Sequence, residues 1–278
     1  MTRPVSEMGL LDGKVAFITG AARGQGRSHA ARLAAEGADI IALDICATAA
    51  DVPYPPATPA DLDETVRAVE AQDRRIVARV VDVRDQGALD AAVADGIAEL
   101  GGLDVVVANA GISSWGRVWE MDETQWQAMI DINLTGVWRT FKAVIPAMIA
   151  QGRGGSIIAI SSVAGIKSLP GQAHYSAAKH GVVGLTKTTA IELGPYGIRV
   201  NSIHPWGVAT PMALEDLTVP EMLGANPHYM GSFGSIMSDV IHADPADVSN
   251  AVVYLASDLS RYHTGDTLVI DGGKLAAN

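Results

Sequence analysis

Short apolar runs alternate with amphipathic stretches along the whole chain. The apolar runs predict strands at residues 14–19, 39–44, 75–81, 103–108, 157–160, 198–203 and 267–270. The stretches between them predict helices at about residues 25–36, 60–73, 86–100, 122–148, 174–193 and 247–256. Strands that alternate with helices are typical of α/β proteins with a parallel sheet. We find no internal repeat and no linker that would divide the chain.

Length and composition limit the class of protein further. The chain has 278 residues, which fits a single α/β domain over residues 1–278 better than two domains. It contains no run of 18 apolar residues and no signal-peptide pattern, so we predict neither a membrane span nor export. The single cysteine, Cys46, indicates a reducing compartment, the cytoplasm. The net charge of −11 argues against nucleic acid or an anionic membrane as partner, and we predict no metal site.

A glycine-rich turn joins the first strand to the first helix. Gly20, Gly24 and Gly26 follow the strand in the spacing G-x-x-x-G-x-G, and the turn also contains Arg23 and Gln25. Glycines let the backbone approach a pyrophosphate, and a helix N-terminus supplies N–H groups and a positive dipole end. We therefore predict a dinucleotide site at this turn.

An acidic residue ends the second strand. Asp44 lies 24 residues after Gly20, and Ile45 follows it. The Asp44 carboxylate is placed to accept hydrogen bonds from an adenosine ribose. Its carboxylate would repel a 2′-phosphate, which favours NAD over NADP. Arg23 acts in the opposite direction, because a cation in the glycine turn can meet that phosphate. The alternative for Asp44 is a cap at the strand end.

The ends of the third and fourth strands add further candidates. Asp82 and Val83 follow the third strand and can flank an adenine ring. Asn109, Ala110 and Gly111 follow the fourth strand, and small residues there would let backbone lie against the cofactor. A simple turn is an equally good interpretation of those three residues taken alone.

A hydroxyl, a phenol and an amine occur together later in the chain. Ser162 follows the fifth strand, and Tyr175 and Lys179 are spaced i and i+4, which places them on one face of a helix. A free phenol has a pKa near ~10, and a nearby lysine cation would lower it. This set fits carbonyl–alcohol interconversion; the alternative is an ordinary amphipathic helix. Asn133, amid apolar neighbours, either kinks its helix and holds a water or ties the helix internally.

Two segments are unusual in composition. Residues 46–73, here called the insertion, contain Pro53, Tyr54, Pro55 and Pro56, and then a helix opening with Pro59. Because the insertion starts beside the adenosine half of the cofactor, we hypothesise that it covers the bound nucleotide; the alternative is surface decoration or a subunit contact. Residues 206–240, here called the lid segment, are rich in methionine and glycine, which favours a lid over an apolar ligand. The alternative is a satellite core cluster. Its apolar members are Met212, Leu214, Leu217, Met222, Met230, Phe233, Ile236 and Met237.

Taken in order, these motifs resemble the short-chain dehydrogenase/reductase family over residues 12–273. The resemblance rests on the glycine turn after Thr19, on Asp82, the 109–111 triplet, Asn133, Ser162, Tyr175 with Lys179, and the stretch from Pro205 to Thr210. It implies a Rossmann-type doubly wound fold, a seven-stranded parallel sheet with helices on both faces, and a homotetramer built on the helices carrying Asn133 and Tyr175.

The resemblance also implies residue roles. Tyr175 is the general acid/base, Lys179 lowers its pKa and binds the nicotinamide ribose, and Ser162 orients the substrate oxygen. Asn133 holds a water in a proton relay. Pro205, Val208 and Thr210 contact the cofactor. One departure is Trp206, which stands where the family usually has glycine.

A narrower resemblance concerns the mycofactocin-associated, carveol-dehydrogenase-like subgroup. It rests on the start Asp44-Ile45-Cys46, the proline-rich insertion and the strand at residues 74–79. It implies a hydrophobic secondary alcohol or its ketone as substrate, a tightly held NAD and an external electron acceptor. Two other functions stay open, a 3-oxoacyl-thioester reductase and a non-catalytic nucleotide-binding protein.

Overall fold

The structure, a computed structural model, describes residues 9–216, 218–237 and 242–277. The N-terminal eight residues and the last residue lie outside this part. So do Leu217 and residues 238–240, which belong to the predicted lid segment.

Seven strands form one parallel sheet. Their order across the sheet is β3-β2-β1-β4-β5-β6-β7, and every neighbouring pair is parallel. This confirms the predicted Rossmann-type doubly wound fold. The strands are β1 (Val15–Thr19), β2 (Asp39–Asp44), β3 (Ile76–Val80), β4 (Val105–Ala108), β5 (Gly155–Ile160), β6 (Ile198–Pro205) and β7 (Thr267–Ile270).

Nine α-helices are present in the described ranges. They are α1 (Gly24–Ala35), α2 (Pro59–Glu70), α3 (Gln86–Leu100), α4 (Glu123–Ile130), α5 (Gly136–Gln151), α6 (Ala173–Leu193), α7 (Pro211–Leu214), α8 (Thr218–Ala225) and α9 (Pro245–Ala256). Short 3-10 turns lie at Val163–Gly165, Gly194–Tyr196, Pro227–Ser232 and Asp258–Ser260. Among these helices, none combines the length and apolarity that crossing a membrane requires.

Helices cover both faces of the sheet, and each face has its own apolar cluster. One cluster joins the sheet to α3, α4, α5 and α6, and the other joins it to α1, α2 and α9. Because both faces are covered, the central strands β1 and β4 are buried at every position. This explains why they read in the sequence as continuous apolar runs rather than as alternating patterns.

The start of α2 follows the local sequence signals. The Thr58 side chain accepts a hydrogen bond from the Asp61 backbone, Asp61 bonds back to the Thr58 backbone, and Pro59 occupies the first turn. This reciprocal capping box satisfies N–H groups that a helix start otherwise leaves unpaired. The insertion therefore ends on a well-defined helix.

The long helical stretch at residues 122–148 is interrupted. A π-helical turn, Asp131–Thr135, separates α4 from α5, and Asn133 lies inside it. Such turns place an extra residue in the helix and are frequent at functional sites. The prediction that Asn133 disturbs this helix is consistent with the π turn.

Candidate functional site

A cavity of about 330 Å³ opens at the carboxyl edge of the sheet. It lies where the strand order reverses between β1 and β4, the crevice in which ligands bind in open α/β sheets. Most predicted cofactor contacts line it, namely Gly20, Arg23, Gly24, Gln25, Gly26, Asp44, Ile45, Asp82, Val83, Asn109, Ala110, Gly111, Tyr175, Lys179 and Thr210. Four predicted site residues do not line the cavity, namely Asn133, Ser162, Pro205 and Val208, although the neighbouring Ile132 and Ser161 do.

The glycine turn requires its glycines for close backbone contacts. A Cβ on Gly26 would lie 2.0 Å from the Gly20 carbonyl oxygen, and a Cβ on Gly20 would lie 2.8 Å from the Ala110 Cα. The N-terminus of α1 therefore sits against the cavity with nothing between them. At the same point the Oε1 atom of Gln25 is buried without a hydrogen-bond partner among the described residues.

Thr19 joins the glycine turn to the turn after β4. Its hydroxyl accepts hydrogen bonds from the backbone N–H groups of Asn109 and Ala110, both at 3.1 Å. The Asn109 side-chain amide donates back to the carbonyl oxygens of Thr19 and Gly20 at 3.0 and 3.1 Å. The Asn109 side chain is thus a structural tie, and sequence reasoning assigned no such role to Thr19.

Asp44 both caps its strand end and faces the cavity. Its carboxylate accepts hydrogen bonds from the backbone N–H groups of Ala22 at 3.0 Å and Cys46 at 2.9 Å. Arg23 does not approach this carboxylate. Its guanidinium instead donates to the carbonyl oxygens of Pro55 and Pro56 in the insertion.

At the end of β3, Asp82 is held by an arginine that sequence reasoning missed. Arg84 Nε lies 3.0 and 2.9 Å from the two carboxylate oxygens of Asp82, and Arg84 Nη1 donates to the Ala49 carbonyl at 3.0 Å. Although burial acts to raise the pKa of Asp82, these hydrogen bonds hold that pKa below its ordinary value. Arg84 thereby connects the cavity floor to the insertion.

Tyr175 and Lys179 both reach the cavity, but the lysine does not touch the phenol oxygen. Lys179 Nζ donates to the Ile160 carbonyl at 2.8 Å and lies 5.5 Å from the centre of the Tyr175 ring. Burial raises the pKa of Tyr175, and the nearby Ser162 hydroxyl opposes this shift. Burial also lowers the pKa of Lys179 to about 8. The prediction that Lys179 lowers the Tyr175 pKa stays a prediction; burial makes the largest contribution to this pKa, and it acts in the opposite direction.

The Asn133 side chain forms two hydrogen bonds with the backbone of the turn after β4. Its Oδ1 accepts from the Ile112 N–H at 2.8 Å, and its Nδ2 donates to the Ile112 carbonyl at 2.7 Å. A Cβ on Gly111 would lie 2.8 Å from the same Oδ1. The side chain thus ties the π turn to the turn after β4, and its Nδ2 also lies 2.6 Å from Met129 Sδ within the helical stretch.

A buried histidine positions Ser162 from behind. His204 Nδ1 lies 2.7 Å from the Ser162 carbonyl oxygen, and His204 Nε2 lies 2.8 Å from the Ser202 hydroxyl. Burial lowers the pKa of His204 to about 4, so the ring is neutral and donates one N–H to Ser162. No sequence signal pointed to this residue.

The insertion lines the cavity and reaches the turn after β4. The Tyr54 hydroxyl accepts a hydrogen bond from the Ser113 backbone N–H at 3.0 Å, one residue beyond the peptide that Asn133 holds. Tyr54 lines the cavity together with Tyr175. Its contact with the turn after β4 was not foreseen, because the two residues are 59 positions apart.

Comparison with known proteins agrees with this geometry. The sequence profile of the short chain dehydrogenases matches residues 14–218. The chain belongs to the short-chain dehydrogenase family. A Mycobacterium tuberculosis relative, named as an uncharacterized NAD-dependent oxidoreductase, is 54% identical over 269 residues, 96% of this chain and 98% of the relative. The (−)-trans-carveol dehydrogenase of Rhodococcus erythropolis is 44% identical over 275 residues, 96% and 99% of the two chains.

A solved structure is similar over the same range. The carveol dehydrogenase of Mycobacterium avium, in complex with NAD, superposes with a TM-score of 0.92 at 50% identity and covers 97% of this chain and 100% of its own. This short-chain dehydrogenase is an NAD-dependent oxidoreductase. The glycine turn, the unpartnered Oε1 atom of Gln25 and the Asp44 carboxylate fit a dinucleotide with a free 2′-hydroxyl.

An aromatic cluster includes Trp206, which lies two residues after His204 at the carboxyl end of β6. Trp206 follows β6 and donates its backbone N–H to the Ile270 carbonyl at 3.0 Å. Its ring centre lies 6.1 Å from that of Phe233, which lies 5.8 Å from that of Trp115. In this short-chain dehydrogenase, the departure at Trp206 therefore contributes an aromatic wall rather than a tight turn.

The methionines of the lid segment do not share one environment. Met212 lines the cavity, and Met222 packs closely against Gly171. Met230 and Met237, by contrast, expose 58% of their surface. Only part of the segment therefore covers the site.

Proposed function

We propose that the protein oxidises a hydrophobic secondary alcohol of the terpenoid, carveol-like class to its ketone, and catalyses the reverse reduction. The observation that carries this proposal is the Tyr175 phenol, which lines the nucleotide cavity and is hydrogen-bonded to the Ser162 side chain. The carveol dehydrogenases among the relatives support the substrate class. The aromatic rings of Trp115, Trp206 and Phe233 offer an apolar wall for such a substrate.

The residues of the chain divide the proton chemistry between them. A bound nicotinamide would supply the acceptor for the hydride that leaves the carbinol carbon. Ser162 orients the alcohol oxygen, and its own backbone is held by His204. Tyr175 takes the hydroxyl proton. Its raised pKa in the free protein keeps the phenol protonated, so the nearby cation Lys179 and the positive charge of the bound cofactor must favour the phenolate during oxidation.

Lys179 and Asn133 are both hydrogen-bonded to backbone groups beside the site. Lys179, fixed to the Ile160 carbonyl, is placed to bind the nicotinamide ribose. The Asn133 side chain is engaged by Ile112, so a relay water would have to be held by the backbone of the π turn rather than by the amide.

The insertion is the basis for a second part of the proposal: the nucleotide would stay bound between turnovers, and its reduced form, NADH, would be reoxidised in place by an external, mycofactocin-type acceptor. Three contacts hold the insertion over the cavity: Arg84 to Ala49, Arg23 to Pro55 and Pro56, and Ser113 to Tyr54. A covered ligand leaves slowly, and affinity differences among related complexes appear mostly in the off-rate.

We also propose that the protein works in the cytoplasm as a homotetramer. Trp126 on α4, Trp138 on α5 and Ile191 on α6 expose large apolar side chains, with Ile191 80% exposed. These helices carry or flank the catalytic residues, so the assembly would bury their outer faces. The partner is then another copy of this chain.

Two experiments test the proposed function. A panel of terpenoid and steroid alcohols, assayed with NAD and with artificial dyes as acceptors, identifies the substrate class. If the protein oxidises none of the apolar secondary alcohols, the proposed function is contradicted. Native mass spectrometry of dialysed protein tests retention. Nucleotide-free protein that turns over steadily with added NAD alone would refute the retained cofactor, whereas about one NAD per chain with dye-dependent turnover would support it.

A further inference from the structure

Tyr175 is the third residue of α6 and therefore stands in the first turn of that helix. Gln172, at the position that usually caps a helix start, makes no side-chain capping bond in the described part of the chain. Uncapped terminal turns open more readily than the interior of a helix. The helix alone therefore does not secure the turn that carries the phenol.

Residues 113–116, here called the flanking segment, run beside the start of α6. The Gly116 N–H donates to the Gly171 carbonyl at 2.9 Å, and Gly116 pairs with Gln172 in a short parallel bridge. The Gln172 side-chain amide, which does not cap the helix, donates instead to the Ser113 hydroxyl at 3.0 Å. The flanking segment thus supplies contacts that a capping side chain does not.

His174, the residue before Tyr175, makes a further contact with the flanking segment. It is fully buried, and its Nε2 lies 3.0 Å from the Ser114 hydroxyl oxygen. Its Nδ1 is buried with no hydrogen-bond partner among the described residues. Burial lowers the pKa of His174 to about 4, so the ring is neutral near pH ~7. Ser114 is also held by the Gln125 side-chain amide at 3.2 Å, so the histidine bonds to a fixed group.

The flanking segment continues directly from the wall of the nucleotide cavity. Ile112, the residue before it, lines the cavity and is held by the Asn133 side chain. The Ser113 N–H donates to the Tyr54 hydroxyl of the insertion at 3.0 Å. The two serines of the flanking segment therefore connect backbone at the nucleotide cavity to the turn that carries the phenol.

We propose that His174 and Gln172 position the Tyr175 phenol for proton transfer. By bonding to the two serines of the flanking segment, they lock the first turn of α6 to the wall of the nucleotide cavity. The described lining of the cavity includes neither residue, so both act through Tyr175. This deepens the proposed function, because it rests on Tyr175 as the acid/base. A displacement of about 1 Å in a reacting group can cost about a hundredfold in rate.

Two substitutions of His174 separate the roles of its two ring nitrogens. The side-chain amide of Gln extends to about the place of His Nε2, whereas the shorter Asn amide reaches only about the place of Nδ1. His174→Gln should therefore keep the contact with Ser114, and His174→Asn should lose it. Gln172→Met keeps the length of the side chain but removes the donor to Ser113, so it should behave like His174→Asn.

Hydrogen exchange and steady-state kinetics are measured on each variant. Exchange in the peptide at residues 173–180, followed by mass spectrometry, reports opening of the first turn and needs no substrate. It should be faster than wild type in His174→Asn and close to wild type in His174→Gln. With carveol and NAD, His174→Asn should lower kcat about tenfold or more, with KM and the NAD dissociation constant changed less than about twofold. His174→Gln should recover most of that kcat.

Ser156→Ala is the control for lost stability alone. It removes a buried hydrogen bond to the Leu255 carbonyl, 2.7 Å long, at the amino end of β5 and away from the site. Its kcat should match the wild type. An equal loss of kcat in Ser156→Ala and His174→Asn would overturn the positioning role, because lost stability would then explain both.

Three further outcomes separate this inference from the proposed function. Wild-type exchange in His174→Asn would overturn the inference, as would fast exchange with a wild-type kcat. A Tyr175→Phe variant that keeps its turnover would contradict the proposed acid/base, whatever the His174 variants do. If no alcohol is oxidised, the proposed function fails, and hydrogen exchange still decides whether His174 secures the first turn of α6.

Discussion

Both polar atoms of the Asn133 side chain are bonded to one residue, Ile112, through its N–H at 2.8 Å and its carbonyl at 2.7 Å. This clamp fixes the turn after β4, and the neighbouring Ser113 is held in turn by Tyr54. The turn after β4, which forms part of the cavity wall, is thus held by the π turn through Asn133 and by the insertion through Tyr54.

Gly111→Ala should displace this clamp, because its new Cβ would lie 2.8 Å from Asn133 Oδ1. We expect weaker NAD binding and a lower melting temperature, with an unfolding free energy reduced by about 1–3 kcal/mol, as for a lost buried hydrogen bond. Isothermal titration and thermal denaturation measure the two effects. Gly87→Ala is the matched control, since its Cβ would meet its nearest neighbour, Asp85 Oδ1, at an ordinary 3.5 Å. Equal behaviour of the two variants would contradict the clamp.

Tyr175→Phe should abolish nearly all turnover while leaving NAD binding close to that of the wild type. The phenol moves the proton, but its hydroxyl need not contact the dinucleotide. Lys179→Ala should weaken both turnover and NAD binding, because its amine reaches the cavity. Initial rates and NAD titration are compared with Tyr262→Phe as control. A Tyr175→Phe rate above about a tenth of wild type, a barrier change below ~1.4 kcal/mol, would show that another group is the base.

Asp44→Ala should narrow the preference for NAD over NADP, because it removes a charge that repels the 2′-phosphate. The gain in NADP binding should be modest, since Arg23 is engaged by the carbonyls of Pro55 and Pro56. Dissociation constants for both cofactors check this, with the exposed Asp63→Ala as control. Equal affinity of the wild type for NAD and NADP would show that Asp44 does not set the preference.

The free energy of unfolding should fall as the pH is lowered from about 6.5 to 4. His204 has its pKa lowered from 6.5 to about 4 by burial, so in this window the unfolded chain binds a proton that the folded chain does not. The sign follows from linkage: excess proton binding by the unfolded state destabilises the fold as protons are added. Melting temperatures between pH 7 and pH 4 should fall less steeply for His204→Asn than for the exposed control His228→Asn. Parallel curves of melting temperature against pH for the two variants would show that His204 does not contribute to this loss of stability.

The wild type should sediment as a tetramer at micromolar concentration. Trp138→Asp places a charge on the exposed apolar face of α5 and should shift the distribution toward smaller species. Val80→Lys, on the exposed surface of the edge strand β3, serves as control and should leave the tetramer intact. A wild type that sediments as a stable monomer would remove this proposal.

The sequence by itself determined the elements whose signals are local. Apolar runs located all seven strands, the glycine turn located the start of α1, and Thr58 with Pro59 located the start of α2. The NAD requirement followed from Asp44 at a strand end and agrees with the NAD-bound relatives. These features depend on residues a few positions apart, so backbone geometry relates them directly.

Only the tertiary structure decided which side chains meet across the cavity. Lys179 bonds to Ile160 rather than to Tyr175, Arg23 turns to the insertion, and Tyr54 reaches Ser113. The pKa of Tyr175 rises because burial, which no local pattern reports, outweighs the hydrogen bond with Ser162. Such contacts join residues that are far apart in sequence, and desolvation depends on everything packed around a group, so spacing along the chain could not determine them.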